Sequence, residues 1–159
     1  MKSTLLGLLI LPLAIAAQSA PVQPAFTTSG AFIALSVPSL DASTRWYQEK
    51  FGLRIVMQPP PHEGVTVRVL EGGGLIMELL HNPVASPLRT AAPAITHTTH
   101  VHGIFKAGLV VDDYDRTLAT LRERGVPIAI GPFPARDGQR ANFIIRDEAG
   151  NLLQFFGRQ

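Results

Sequence analysis

The sequence contains no cysteine, which excludes disulfides, thiolate metal sites and a cysteine nucleophile at one stroke. Charge is sparse as well: acidic and basic residues make up 16% of 159 residues, and the formal net charge is only +2. The basic residues are scattered rather than clustered, so the chain lacks the electrostatic footprint of a nucleic-acid binder. Aromatics are few, at 7%, yet 46% of the residues are apolar, enough for one ordinary globular core. Ser36, Ser39 and Ser43 lie outside any nucleophile elbow, which leaves a hydrolase triad without support. No Lys-Ser or Lys-Thr follows Gly72-Gly73-Gly74, so those glycines read as a hairpin turn and not as a phosphate loop.

The longest apolar run, Leu5 to Ala17, falls short of the roughly 20 residues that span a bilayer. With Lys2 before it and small residues at Ala14, Ala16, Ala17 and Ser19, it reads as a signal peptide over residues 1–20. Cleavage after Ala16 or after Ser19 fits the small-x-small rule, and Pro21 disfavours a cut after Ala20. A lipid anchor would need a cysteine. The expectation is a periplasmic or secreted protein, free of the membrane once cleaved, with residues 21–30 as a flexible mature N-terminus.

Two stretches of the remaining chain repeat one order of elements. Phe32 to Val37 is a strand ended by Pro38, and Ser39 caps a helix with Asp41 in its first turn. Leu40, Trp46, Tyr47 and Phe51 form that helix's apolar face, with Gly52 just past its end. Strands follow at Leu53 to Met57, at Val65 to Val69 with alternating valines, and at Leu75 to Leu80. A linker over 81–102 carries Pro83, Pro87 and Pro93, and its length suggests a lid or strap. The order then returns: a strand from Phe105 to Val111, a helix capped by Asp112 or Asp113 and running to Arg124, and a strand from Pro127 to Ile130. Gly131-Pro132 begins a loop, and strands at Gln139 to Asp147 and Asn151 to Phe156 close the chain. Val37 answers to Val111, Gly52 to Gly125 and Glu78 to Gln154, at offsets of 74, 73 and 76 residues. A near-constant offset across different element types implies an internal duplication. The fold class is therefore α+β, with two βαβββ modules over 31–80 and 103–157 in a domain spanning 31–159.

Val37-Pro38-Ser39-Leu40-Asp41, Trp46-Tyr47, Phe51-Gly52-Leu53 and Leu75-Ile76-Met77-Glu78-Leu79 carry a resemblance in the first half. Val111-Asp112-Asp113 and Asp147-Glu148-Ala149-Gly150-Asn151-Leu152-Leu153 carry it in the second. With these signposts the chain resembles the vicinal oxygen chelate superfamily, which includes glyoxalase I, extradiol dioxygenases and bleomycin-resistance proteins. The resemblance implies a cleft inside an incomplete barrel and a homodimer in some members. It leaves the activity open, because one fold hosts many chemistries.

Metal-dependent members carry inward-facing ligands, usually His and Glu, on the first and last strands of each module. Carried over, those positions are Phe32, Glu78, Lys106 and Gln154, and only Glu78 keeps the ligand type. One carboxylate and one amide make a poor divalent site, so no cofactor is expected there. Glu78 and Lys106 are the candidate catalytic residues, and the four positions together are the candidate ligand cleft. Lys106 is expected to neutralise Glu78 where a cation stands in other members, or to serve as base or nucleophile. Thr96-His97-Thr98-Thr99-His100-Val101-His102 offers a displaced alternative. His100 and His102 share a face if that chain is extended, and His97 and Glu78 would complete a metal site, with His81 as a further candidate. The expected function is metal-free binding of a small molecule. The alternative is a glyoxalase-like lyase or isomerase, or a dioxygenase-like enzyme, using the displaced metal or Lys106. Trp46 and Tyr47 read as core, and Arg136, Arg140 and Arg146 as water-facing.

Overall fold

The alternation in Ala31–Ser36 (β1) is a strand signal, and in the computed structural model Ala31, Ile33 and Leu35 turn inward while Phe32, Ala34 and Ser36 face out. The structure describes Thr28 and residues 30–158. The expected signal peptide, and all of the N-terminal stretch but Thr28 and Gly30, lie outside the described residues. The hydroxyl of Ser39 accepts the Ala42 N–H at 3.3 Å and starts the helix Leu40–Phe51 (α1). Gly52 ends it at φ 73, a left-handed conformation that costs a Cβ-bearing residue about 1–2 kcal/mol. Arg54–Met57 (β2), Thr66–Gly72 (β3) and Leu75–His81 (β4) complete the first module. The tight turn between β3 and β4 needs positive φ at both central residues, and Gly73 (58°) and Gly74 (79°) supply it.

The second module repeats the plan. Ala107–Val111 (β5) leads to a helix, Tyr114–Glu123 (α3), whose cap is the Asp113 carboxylate accepting the Arg116 N–H at 2.9 Å. Ile128–Phe133 (β6), Asn142–Arg146 (β7) and Leu152–Gly157 (β8) follow. Each module forms one four-stranded mixed sheet, β1-β4-β3-β2 and β5-β8-β7-β6. In each, the first strand runs parallel to the last and the other pairs are antiparallel. The two sheets do not close into a barrel.

Several elements differ from expectation. β7 starts at Asn142 and not at Gln139, because Gln139 exchanges backbone bonds with Arg136 at 2.8 and 3.1 Å in a local turn. β6 continues through Gly131-Pro132 to Phe133; it is an edge strand, where a missing N–H is tolerated, and its register shifts there. The linker folds a short helix, Leu88–Ala91 (α2), and a 3-10 turn at Thr98–His100.

One apolar core joins both modules on the helix side of the sheets. Tyr47, Leu70, Met77 and Leu79 come from the first module, and Phe143, Ile145, Leu153 and Phe155 from the second. Burying each such side chain contributes about 2 kcal/mol. Phe51 and Phe155 meet edge-on across the junction at 5.8 Å, and Phe155 stacks on Phe143 at 5.0 Å. Trp46 and Tyr47 pack at 4.9 Å in this core, as their helical spacing implies.

Polar contacts lock the same junction. The fully buried Tyr47 donates its hydroxyl to Asp147 at 2.7 Å. Asp147 also accepts the backbone N–H and side-chain amide of Asn151, at 2.7 and 2.9 Å. Three donors thereby satisfy a buried carboxylate that would otherwise be costly. The Ser43 hydroxyl donates to Glu148 beside it. Lys50 donates to the Arg124 carbonyl at 2.5 Å, and Arg124 returns a bond to the Lys50 carbonyl at 2.9 Å. These residues stand 74 apart in sequence, the duplication offset itself, so the two modules clasp each other reciprocally.

Candidate functional site

Each sheet buries one face against its helix and leaves the other open. In the first sheet the strand register sets Glu78 between Ala34 of β1 and Val69 of β3. Phe32 and Ile76, paired on the same face, are exposed, Phe32 by 62%. Glu78 is thus a half-buried carboxylate among apolar neighbours. In the second sheet Gln154 sits between Gly108 and Ile144. Its amide donates to the Asn142 side chain at 2.9 Å, and Gln154 is almost fully buried. Val110 (56%), Ile130 and Phe133 (49%) are exposed, with Val110 and Ile130 on this open face by strand alternation and register.

Lys106 precedes β5 instead of lying in it. It is exposed, and its ammonium stands 5.7 Å from the centroid of the Phe105 ring. The ion pairs among the described residues are His62–Glu63, Arg68–Asp41 and Arg158–Asp112. Glu78 and Lys106 are therefore not joined, and the expected neutralising pair is not formed. A base or nucleophile also needs a desolvated lysine, which this exposed position does not provide.

The chelating positions fail as a metal site on their own chemistry. Phe32 has no donor atom, Lys106 is a cation, and Gln154 is already engaged with Asn142. The displaced alternative is not assembled either: among the described residues no three His, Asp or Glu side chains come together. The strap is not extended, because Thr98–His100 winds into a 3-10 turn, so the shared face expected of His100 and His102 is lost. His97 is tied locally, its Nδ1 2.6 Å from the Thr99 hydroxyl and 5.7 Å separating its ring from that of His100. His81 lies three residues past Glu78, and strand alternation sends it to the opposite face. There its Nδ1 stands 3.1 Å from the Val37 carbonyl, on the wall of a cavity of about 420 Å³ that also holds Arg68 and Asp41.

Burial and the adjacent Asp147 push the Tyr47 hydroxyl well above its ordinary pKa, which keeps it a hydrogen-bond donor to Asp147. Tyr114 is shifted up as well, by its partial burial and then by Asp115.

The sequence that folds into these two duplicated sheets matches a known family. The sequence model of the glyoxalase/bleomycin resistance protein/dioxygenase superfamily matches residues 31–155. The chain belongs to this superfamily. Solved structures share the superfamily fold. A glyoxalase/bleomycin resistance protein/dioxygenase domain from Frankia sp. EAN1pec is 18% identical, with a TM-score of 0.63 over 84% of this chain and 93% of that one. TnmS3, an antibiotic-binding protein from Streptomyces sp. CB03234, is 18% identical with a TM-score of 0.57 over 86% and 100%. A glyoxalase I mutant from Zea mays is 19% identical with a TM-score of 0.56, over 80% of this chain and 43% of that one. At such identities the likeness shows the fold alone. No curated protein matches the sequence. Within the superfamily, the sequence pattern gave Glu78 and Gln154 their positions but missed Asn142 as the partner of Gln154. It also missed Lys50, Arg116 and Arg124 around the junction, because no local motif announces a contact made across 74 residues.

Proposed function

We propose that this superfamily member is exported and binds a small, largely apolar organic molecule on the open side of its sheets, without the metal that chelating members use. The donor set carries the reading: a phenylalanine, a lysine and an engaged glutamine stand at three of the four chelating positions. What surrounds the remaining carboxylate is a binding surface. Glu78 offers one acceptor in an apolar patch of Ala34, Val69, Phe32 and Ile76, which suits an aromatic or aliphatic ligand bearing an amine or hydroxyl donor. TnmS3 is an antibiotic-binding protein on the same fold, so capture of an organic molecule is within this fold's repertoire. The exposed apolar side chains also suit a second copy of the chain as a cover over the ligand. Export follows from the N-terminal pattern.

The test is a thermal-shift screen of small aromatic amines and alcohols, since a ligand of the native state must raise the melting temperature. Hits should lose their shift in Phe32→Ala and Glu78→Gln and keep it in a chelator. A shift that survives both substitutions, or disappears with chelation, contradicts the proposal.

A further inference from the structure

A second cavity, open to solvent, lies at the junction between the modules, on the other side of the sheets from the open faces. Its volume is about 320 Å³, near the lower end for small-molecule sites. Phe51, Leu75, Leu109, Val111, Leu121 and Phe155 form an apolar floor drawn from both modules. These side chains belong to the helix side of the sheets, the reverse of the face that carries Phe32 and Glu78. Lys50, Arg116 and Arg124 line it too, with Thr117 and Thr120, and no Asp or Glu does.

None of the three cations forms an ion pair among the described residues. Lys50 and Arg124 are held in place by each other's carbonyls, which consume one donor of each and leave the rest of the ammonium and guanidinium unused. The Arg116 side chain makes no hydrogen bond among the described residues, although its backbone N–H is taken by Asp113. Like charges collected over an apolar floor repel one another, and an anion entering from solvent relieves that repulsion. The guanidinium fork also matches a carboxylate in shape.

We infer that this junction cavity binds an amphipathic organic anion, a medium-chain or aromatic carboxylate. The acid group sits among Lys50, Arg116 and Arg124, and the apolar body lies on the Phe51–Phe155 floor. Such a ligand touches both modules at once and so tightens the clasp between them.

Octanoate titrated into the full chain tests this, with octanol as the uncharged counterpart. The single tryptophan is a built-in reporter, because the Trp46 ring lies 5.4 Å from Phe51 on the cavity floor. The expected result is a saturable change in Trp46 emission with octanoate and none with octanol at the same concentrations. Arg116→Gln should weaken octanoate binding roughly tenfold, the worth of one charge-assisted bond. Its melting temperature without ligand should stay unchanged, since the side chain supports nothing else. Absence of saturable octanoate binding, equal binding of octanol, or unchanged affinity in Arg116→Gln would overturn the inference. So would an affinity that falls in Phe32→Ala as much as in Arg116→Gln, which would place the ligand on the open face.

Discussion

The two modules share an order of elements, a sheet topology and a side-chain-capped helix, yet they divide the labour unequally. α1 buries polar groups, with Ser43 and Tyr47 reaching into the second module. α3 buries only Leu118 and Leu121. The final hairpins differ in the same sense. The β3–β4 turn is a bare pair of glycines, whereas the β7–β8 turn carries Asp147 and Asn151 and receives Tyr47. At the matched open-face positions, Glu78 has no hydrogen-bond or ion-pair partner among the described residues, while Gln154 is tied to Asn142. A duplicated backbone can thus be kept by its apolar pattern while the polar side chains at matched positions drift into different contacts.

The largest effect should come from breaking the anchor. Asp147→Ala strands the Tyr47 hydroxyl and the Asn151 N–H in the junction, and leaving buried donors unsatisfied should cost about 3 kcal/mol in denaturant unfolding. A loss below ~1 kcal/mol would mean that the junction tolerates the gap and the asymmetry is decorative.

Tyr47→Phe should cost less, about 1.5–2 kcal/mol, because Asp147 retains its two bonds to Asn151. The same variant sharpens the comparison through pH. The folded Tyr47 is held neutral above its unfolded value of 10.0. Below that pH both states carry the proton and stability does not vary with this group. Above it the unfolded chain releases the proton and the folded chain does not, so stability falls as pH rises. Unfolding midpoints across the alkaline range should decline in the parent and decline less steeply in Tyr47→Phe. Parallel declines would contradict the buried donor.

The smallest effect belongs to Lys106→Met. An exposed lysine with no carboxylate partner among the described residues should leave stability within about 0.5 kcal/mol on removal. A loss well above 1 kcal/mol would instead restore the ion pair with Glu78 that the residue types suggested.

Much of this architecture was legible in the chain. Alternation in Phe32 to Val37, the cap Ser39, a cap at Asp112 or Asp113, and the positions of Gly52 and Gly73-Gly74 each follow from local sterics and hydrogen bonding, so the sequence declares them; the structure selects Asp113. The repeat offset carried the topology from one half to the other. The candidate site was legible as positions and not as contacts. The family resemblance placed Glu78 and Gln154, but Asn142 bonds Gln154 across a neighbouring strand, and Lys106 leaves β5 before it can meet Glu78. The His97–His102 strap misled for a related reason. Its spacing fits a strand face, yet the backbone turns at Thr98–His100, where nothing in a Thr-rich tract signals a bend. Contacts between modules, Lys50 with Arg124 and Tyr47 with Asp147, depend on docking geometry that no window of residues contains.

The central claim is that this superfamily fold binds its ligand without a metal. The direct measurement is elemental analysis of the untagged mature protein, paired with its melting temperature before and after a chelator. Substoichiometric metal and an unchanged melting temperature are the predicted result. One equivalent of a divalent metal, with a drop in melting temperature on chelation, would contradict the account and turn attention to Glu78 and the histidine strap.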